Sequence, residues 1–148
     1  MFEKNINSLE NELNYHFDNK ELLKKALTHK TFAFESMDAV EYNERLEFLG
    51  DSILNFVIAE MLYQKNIFFS EGELTRRRSI FVNNSHLAEK AKSMNLGDYL
   101  LLGKGEMKQN GNKTPSNLAN TLEAIFGAIY LDSNLNTVKE IIRKIILE

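Results

Sequence analysis

The chain has no cysteine, one proline and seven glycines among 148 residues. These absences exclude disulfide-stapled, collagen-like and low-complexity proteins. Long apolar runs are also missing, because residues 124–131 form one of the longest and a membrane span needs roughly 20 residues. The amino terminus carries acids early and has no apolar core ahead of a cleavage site, so no secretory signal is predicted. We therefore expect one domain over residues 1–148, in the cytoplasm and without membrane contact.

The chain also lacks the excess of positive charge that is typical of a nucleic-acid binder, since its formal net charge is -3. The two signs are separated along the sequence. Residues 35–60 contain seven acids and one arginine, whereas residues 74–92 contain five basic residues and one acid. A metal-dependent enzyme acting on a phosphate substrate needs such surfaces, but many helical proteins have them too. Charge alone does not separate these possibilities.

Apolar residues recur at helical spacing along nearly the whole chain. The pattern predicts an all-α fold of about seven helices with a long central helix. We predict loops at residues 31–38 and 103–113. The predicted helices run through Ile6 to Leu13, from Asn19 through Leu27, from about Val40 to Tyr63, from a capping box at Ser70 and Glu73, from Asn84 or Ser85, from Thr114 and Pro115 to about Leu131, and from about Asn136 onward.

Acidic side chains share one stripe of the long central helix. At 100° per residue, Glu44, Glu47 and Asp51 lie opposite the predicted core positions Leu46, Leu49, Ile53 and Phe56. The same spacing places Asn120 and Glu123 beside Gly127, away from the apolar face of the later helix. If the two stripes face each other, their oxygens suit a hard cation such as Mg²⁺. Acids on outer helix faces are usually solvated, so spacing alone favours an ordinary surface over a metal site.

Particular segments of the sequence are more specific than this spacing. Residues 43–54, NERLEFLGDSIL, resemble the signature of the ribonuclease III family almost letter for letter. Four further segments are similar to that family's other blocks and occur in the same order, so the resemblance covers essentially the whole chain. They are ALTHKTF at 26–32, SEGELTRRRS at 70–79, LGKGE at 102–106 and PSNLANTLEAIFGAIYLD at 115–132.

The resemblance implies an all-helical endonuclease domain that forms a homodimer and cleaves double-stranded RNA in rRNA and mRNA precursor processing. It implies hydrolysis that depends on Mg²⁺, with Mn²⁺ as a substitute, and leaves 5′-phosphate and 3′-hydroxyl ends. By matching position, Asp51 and Glu123 would be catalytic and would ligate the metal with Glu44 and Asn120. Supporting roles would fall to Glu47 and Glu71, and Phe48 would lie at the dimer interface.

Contacts to the RNA backbone are expected in the segment that precedes the catalytic helix. An A-form duplex offers little base readout, so phosphates and 2′-hydroxyls are the expected targets. His29 is expected to be a hydrogen-bonded structural residue. The expected RNA-binding residues are Lys104, Lys108, Lys113 and Ser116.

Two features depart from the family pattern. Asn120 stands where the family normally has aspartate, which removes one negative charge and should weaken metal binding. Residues 1–148 are also expected to contain no counterpart of the double-stranded-RNA-binding domain that usually follows the nuclease domain, so weak, salt-dependent RNA affinity is expected of them. The alternative function is a noncatalytic or inactivated relative that binds duplex RNA. A third, a Mg²⁺-dependent nucleotide pyrophosphohydrolase, suits the acidic stripes but not the segment NERLEFLGDSIL.

Overall fold

A computed structural model describes the backbone of residues 2–148 and the side chains of residues 6–148. Within this range the chain folds into nine α-helices and two short 3₁₀ turns, and its β pairing is limited to an isolated bridge between Thr28 and Leu101. The predicted all-α class is confirmed. The helices are α1 (Phe2–Leu13), α2 (Lys20–Leu27), α3 (Lys30–Glu35), α4 (Glu44–Lys65), α5 (Glu71–Val82), α6 (Asn84–Ser93), α7 (Lys104–Lys108), α8 (Pro115–Asp132) and α9 (Leu135–Leu147), and the 3₁₀ turns are Leu96–Tyr99 and Gly111–Lys113.

The seven predicted helices are present, and the long central one begins at Glu44 rather than near Val40. Two further helices occupy segments that we predicted to be loops. The helix α3 (Lys30–Glu35) covers residues 31–35 of the first predicted loop, and at its start the His29 side chain accepts a hydrogen bond from the Thr31 backbone N–H. The helix α7 and the second 3₁₀ turn lie within residues 103–113. Both loop predictions were wrong because a helix of five or six residues is too short to show apolar periodicity.

The helix α8 is the centre of the domain. Its residues 118–129 are buried except for the partly exposed Asn120, and α4, α6 and α2 pack around it. The long helix α4 lies against α8 along the largest of these contacts. The two helices that carry the predicted carboxylates are therefore packed against each other in the core.

Side-chain caps define several helix starts. Asn19, Ser70 and Asn134 each accept a hydrogen bond from a backbone N–H in the first turn of α2, α5 and α9. At α8 the Thr114 side chain does not cap the helix, and its hydroxyl donates to the Asn110 carbonyl oxygen instead. Pro115 at the first helical position marks that start.

The carboxylate of Asp132, at the end of α8, holds the beginning of α2. It accepts hydrogen bonds from the Tyr15 hydroxyl at 2.6 Å and from the backbone N–H groups of Asp18 and Asn19 at 2.9 and 3.0 Å. Burial alone would raise the pKa of Asp132, but these hydrogen bonds outweigh it, and the pKa lies below its usual value. The ionised carboxylate therefore stabilises the folded chain.

Helices long and apolar enough to span a bilayer are not found in the described part of the chain.

Candidate functional site

The helices α4 and α8 cross with their backbones in contact at two glycines. A Cβ atom built on Gly50 would lie 1.7 Å from the carbonyl oxygen of Glu123. One built on Gly127 would lie 2.4 Å from the carbonyl oxygen of Leu46. Since ordinary Cβ contacts begin near 3.4 Å, a side chain at either position would force the helices apart. Asp51 follows Gly50 directly, so the crossing brings Asp51 and Glu123 together.

The predicted metal ligands line one open cavity of about 520 Å³ beside this crossing. Its walls come from α4, α6 and α8, and the residues that line it in the described structure include no lysine or arginine. The predicted carboxylates of α4 therefore face the polar residues of α8 across this cavity. The lining residues are Glu44, Glu47, Phe48, Asp51, Asn84, Asn120 and Glu123.

Glu123 is the most perturbed acid of the cavity. Only 6% of its surface is exposed, although we predicted that its stripe would face away from the core. Burial, the negative charge of Asp51 and a hydrogen bond to Asp51 together raise the pKa of Glu123 to about 8, and burial is the largest cause. A carboxyl that resists ionisation beside another carboxylate is the arrangement that a bound cation relieves.

Glu47 shows the same crowding of negative charge. Burial raises the pKa of Glu47, and the charges of Glu44 and Asp51 on the same helix add to the shift. Asp51 itself accepts a hydrogen bond of 3.1 Å from the Asn55 side-chain amide. The cavity therefore concentrates negative potential at its α4 wall.

Glu44 lies at the edge of this cavity and has a basic partner. The Lys30 ammonium, on α3, lies 3.6 Å from the Glu44 carboxylate, and both side chains are about half exposed. Both residues also line a smaller neighbouring cavity of about 170 Å³. The other lining residues of the smaller cavity are His29, Asn43, Glu47, Asn117 and Asn120.

The side chains of the cavity have donor atoms that suit a divalent cation, but they are not arranged as a complete set of ligands. Among residues 6–148, no three histidine, cysteine, aspartate or glutamate side chains are placed together as metal ligands. Asp51, Glu123 and the amide oxygen of Asn120 nevertheless offer the all-oxygen donor set that Mg²⁺ prefers. The raised pKa of Glu123 is consistent with such a site, because it reflects a buried carboxyl beside the negative charge of Asp51.

The remaining predicted residues lie outside this cavity. Glu71 is the exposed first residue of α5 and accepts a hydrogen bond from Thr75, so its supporting role stays a prediction. The four predicted RNA contacts lie on the exposed surface between the start of α7 and the first turn of α8. They are Lys104, Lys108, Lys113 and Ser116.

Three residues that shape the site were not among the predicted ones. Gly50 was visible only as one letter of the signature, and its role depends on the partner helix. Asn84 was interpreted as a helix start, and Lys30, which directly precedes the predicted loop at residues 31–38, was given no role. The structure shows Asn84 in the cavity wall and Lys30 beside Glu44.

The fold and the cavity together define an all-helical protein with a carboxylate-lined site between two crossing helices. A family model described as Ribonuclease-III-like matches residues 19–148. The chain belongs to the ribonuclease III family, which confirms the resemblance drawn from its sequence.

Similar proteins agree with this assignment. A Ribonuclease 3 of Buchnera aphidicola subsp. Schizaphis graminum is 50% identical over 138 residues, covering 93% of this chain and 58% of the relative. The Ribonuclease 3 of Pasteurella multocida is 48% identical over 140 residues, covering 95% of this chain and 60% of the relative. This chain thus spans somewhat more than half the length of the curated relatives it matches.

Solved structures of the ribonuclease III nuclease domain from Campylobacter jejuni match the whole fold. One has a TM-score of 0.89 at 43% identity and covers 97% of this chain and 94% of the other. A second, which concerns flexibility in a region involved in dimer formation, has a TM-score of 0.88 at 41% identity and covers 97% and 99%. The predicted fold is therefore confirmed by structure as well as by sequence.

Proposed function

We propose that residues 1–148 form a nuclease domain that cleaves double-stranded RNA by metal-dependent phosphodiester hydrolysis. The observation that carries this proposal is the pairing of Asp51 and Glu123 at the glycine crossing, in a cavity without a basic wall residue. The relatives named Ribonuclease 3 support the reaction class. The products would carry 5′-phosphate and 3′-hydroxyl ends, and the biological role would be processing of rRNA and mRNA precursors in the cytoplasm.

Asp51 and Glu123 would hold the cation, with Glu44 and Asn120 completing the oxygen donors. Bound Mg²⁺, or Mn²⁺ in its place, would polarise the phosphodiester and activate water for in-line attack. Glu123 would give up its proton on metal binding, because burial beside Asp51 keeps that carboxyl protonated near neutral pH. Glu47 would support the site by adding negative potential at the α4 wall.

Asn120 sets the expected strength of this site. Its amide carries a carbonyl oxygen but no negative charge, so the cavity has one charge less than an aspartate would supply. Weaker metal binding follows from this substitution. This residue is also the observation that favours the second candidate function, a relative that binds duplex RNA without cutting it.

The RNA duplex would lie across the surface that carries Lys104, Lys108, Lys113 and Ser116. All four are exposed and lie between the start of α7 and the first turn of α8, the helix that holds Asn120 and Glu123. Contacts of this kind bind phosphates and 2′-hydroxyls rather than base edges. Binding should therefore depend on duplex shape and fall steeply as salt rises.

Three exposed aromatic residues lie along one side of α4 and would form a homodimer interface. Phe48, Phe56 and Tyr63 are 78%, 49% and 73% exposed. Helical geometry places them within about 80° of each other around the helix axis. We had predicted Phe56 to lie in the core, which was wrong, because that helix buries the neighbouring Val57 instead. Exposed aromatic side chains aligned on one side of a helix are what a partner surface would cover.

A second copy of the chain is the proposed partner for this stripe. Light scattering should give a dimer for the unchanged chain and a monomer for Phe48→Asp. Met37→Asp is the matched control, since Met37 is fully exposed and lies outside α4. A monomer before any substitution would contradict the homodimer.

Cleavage of a short RNA duplex in Mg²⁺ tests the proposed reaction. The chain would be compared with Asn120→Asp and Glu123→Gln at low and moderate salt, with Glu140→Gln, an exposed change on α9, as the control. Glu123→Gln should slow cleavage at least about a hundredfold, because changes to residues that merely support metal ligands already cost up to that much.

Each outcome separates the candidate functions. Cleavage by the unchanged chain that Glu123→Gln abolishes supports the nuclease. Cleavage only by Asn120→Asp identifies an inactivated nuclease. Duplex that is bound but intact with every variant favours the noncatalytic relative, and hydrolysis of free nucleotides instead of RNA favours the pyrophosphohydrolase.

A further inference from the structure

The segment that carries the predicted RNA-binding lysines is fastened to the rest of the domain at both ends. We define the α7 segment as residues 103–113, which includes α7 and the second 3₁₀ turn. Lys104 and Lys108 are exposed on it. Its first residues contact α3, and its last residues contact the start of α8.

The first end is held by two side chains of α3. The Glu35 carboxylate accepts the backbone N–H of Lys104 with both oxygens, each at 3.0 Å. The Thr31 hydroxyl oxygen accepts the backbone N–H of Gly103 at 2.9 Å. A Cβ atom on Gly103 would lie 2.9 Å from atoms of Thr31 and Glu35, so α3 packs directly on the backbone of the segment.

A third residue completes this hydrogen-bonded chain. The Thr31 hydroxyl lies 2.8 Å from His29 Nδ1, which also accepts the Thr31 backbone N–H. Because Nδ1 accepts the Thr31 backbone N–H, the Thr31 hydroxyl donates to the same nitrogen while its oxygen accepts from Gly103. His29 thus fixes the orientation of the hydroxyl that holds the segment.

The second end is held by Asn117, in the first turns of α8. Its side-chain amide donates to the Glu106 carboxylate at 2.9 Å and to the Gly111 carbonyl oxygen at 3.0 Å. A Cβ atom on Gly111 would lie 2.6 Å from the side chain of Glu106, so this end is packed closely as well. His29 and Asn117 both line the smaller cavity, together with Glu44 and Asn120 of the candidate metal site.

We propose that Thr31 and Glu35 are positioning residues that hold the α7 segment, and with it Lys104 and Lys108, at a fixed distance from the carboxylates. This inference rests on the proposed function, because it gives these lysines the RNA backbone as their ligand. His29, near the first end of the segment, and Asn117, at the second end, line the same smaller cavity as Glu44 and Asn120. The spacing between the phosphate contact and the cut phosphodiester is then set by α3 rather than by the RNA.

Substitution of Glu35 tests the inference, because the two explanations predict opposite changes in RNA affinity. Removing a carboxylate beside Lys104 makes the surface more positive, so charge alone predicts tighter RNA binding. Loss of positioning predicts weaker binding, by about three- to tenfold for the loss of one typical hydrogen bond to the RNA backbone. Glu140→Ala is the matched control, because it removes the same charge from an exposed position on α9.

The affinity for a short RNA duplex would be measured for the unchanged chain, Glu35→Ala, Glu140→Ala, Thr31→Val and Thr31→Ser. Thr31→Val keeps the shape of the side chain and loses the acceptor, and Thr31→Ser should restore it. In cleavage assays, KM should rise in Glu35→Ala and Thr31→Val, whereas kcat should change little.

Limited trypsin digestion reports the segment itself without RNA. Cleavage after Lys104 or Lys108 should become several-fold faster in Glu35→Ala and Thr31→Val, at an unchanged melting temperature, because the segment opens locally. Unchanged digestion would overturn the inferred attachment. Faster digestion with RNA affinity equal to or above that of Glu140→Ala would overturn the positioning role.

Failure of the proposed function gives a different result. If the unchanged chain does not bind duplex RNA, the positioning role is overturned with it. The digestion rates then still decide whether α3 holds the segment.

Discussion

Replacement of Gly50 by alanine tests the contact on which the candidate site depends. The added methyl carbon would lie 1.7 Å from the Glu123 carbonyl oxygen, whereas ordinary contacts begin near 3.4 Å. The helices α4 and α8 must therefore separate by about 1.7 Å, or one must bend. The atom in the way belongs to helical backbone in the core, so a change of side-chain rotamer cannot relieve the contact.

Two contributions of opposite sign determine how much Gly50→Ala changes the free energy of unfolding. Alanine is favoured over glycine inside a helix by about 1 kcal/mol. Overpacking a well-filled core costs about 1–3 kcal/mol and sometimes more, and the backbone position of this clash puts it at the upper end. We expect the free energy of unfolding to fall by about 2 kcal/mol, which lowers the melting temperature by about 4–8 °C in a domain of this size.

Other glycines of the same chain provide the controls. A Cβ atom on Gly72, in α5, would meet nothing within 4 Å, so Gly72→Ala should be neutral or stabilising by up to about 1 kcal/mol. Gly127→Ala, with its clash at 2.4 Å, should fall between Gly72→Ala and Gly50→Ala. Urea unfolding followed by circular dichroism, at one protein concentration, gives all three values. A Gly50→Ala protein as stable as Gly72→Ala would refute the close crossing.

Three further predictions concern charge. The pKa of Glu123 is raised from 4.5 to about 8, so the metal-free protein should lose stability as pH rises from about 4.5 to about 8. In thermal melts, Glu123→Gln should make the melting temperature less dependent on pH over this range. The pKa of Asp132 is lowered, so its ionised carboxylate stabilises the fold at pH 7. Asp132→Asn should reduce the free energy of unfolding by about 1 kcal/mol, which lowers the melting temperature by about 2–4 °C. The difference in melting temperature between the two proteins should vanish as pH falls below about 3.8. Lys30→Met should tighten Mn²⁺ binding up to about fivefold in calorimetry without RNA, since Lys30 competes for Glu44, and weaker binding would contradict this competition.

The long helices could be predicted from the sequence because their apolar faces repeat over several turns. The short helices α3 and α7 could not, since their stability comes from contacts that are distant along the chain, such as Glu35 with the Lys104 backbone. The candidate ligands were found because residue identity supplemented the spacing. Burial of Glu123 was missed for a related reason: a helix surrounded by other helices has no outer face, and periodicity cannot report how many neighbours it has.

The glycine crossing also has a consequence for protein design. Asp51 and Glu123 belong to different helices, and each is placed by a backbone contact that the other helix supplies. Copying the acids onto another helical bundle would not reproduce their separation unless both small residues, Gly50 and Gly127, were copied with them. The smallest part of the structure that could transfer this site to another protein is therefore the pair of helices with their point of contact, rather than a set of side chains.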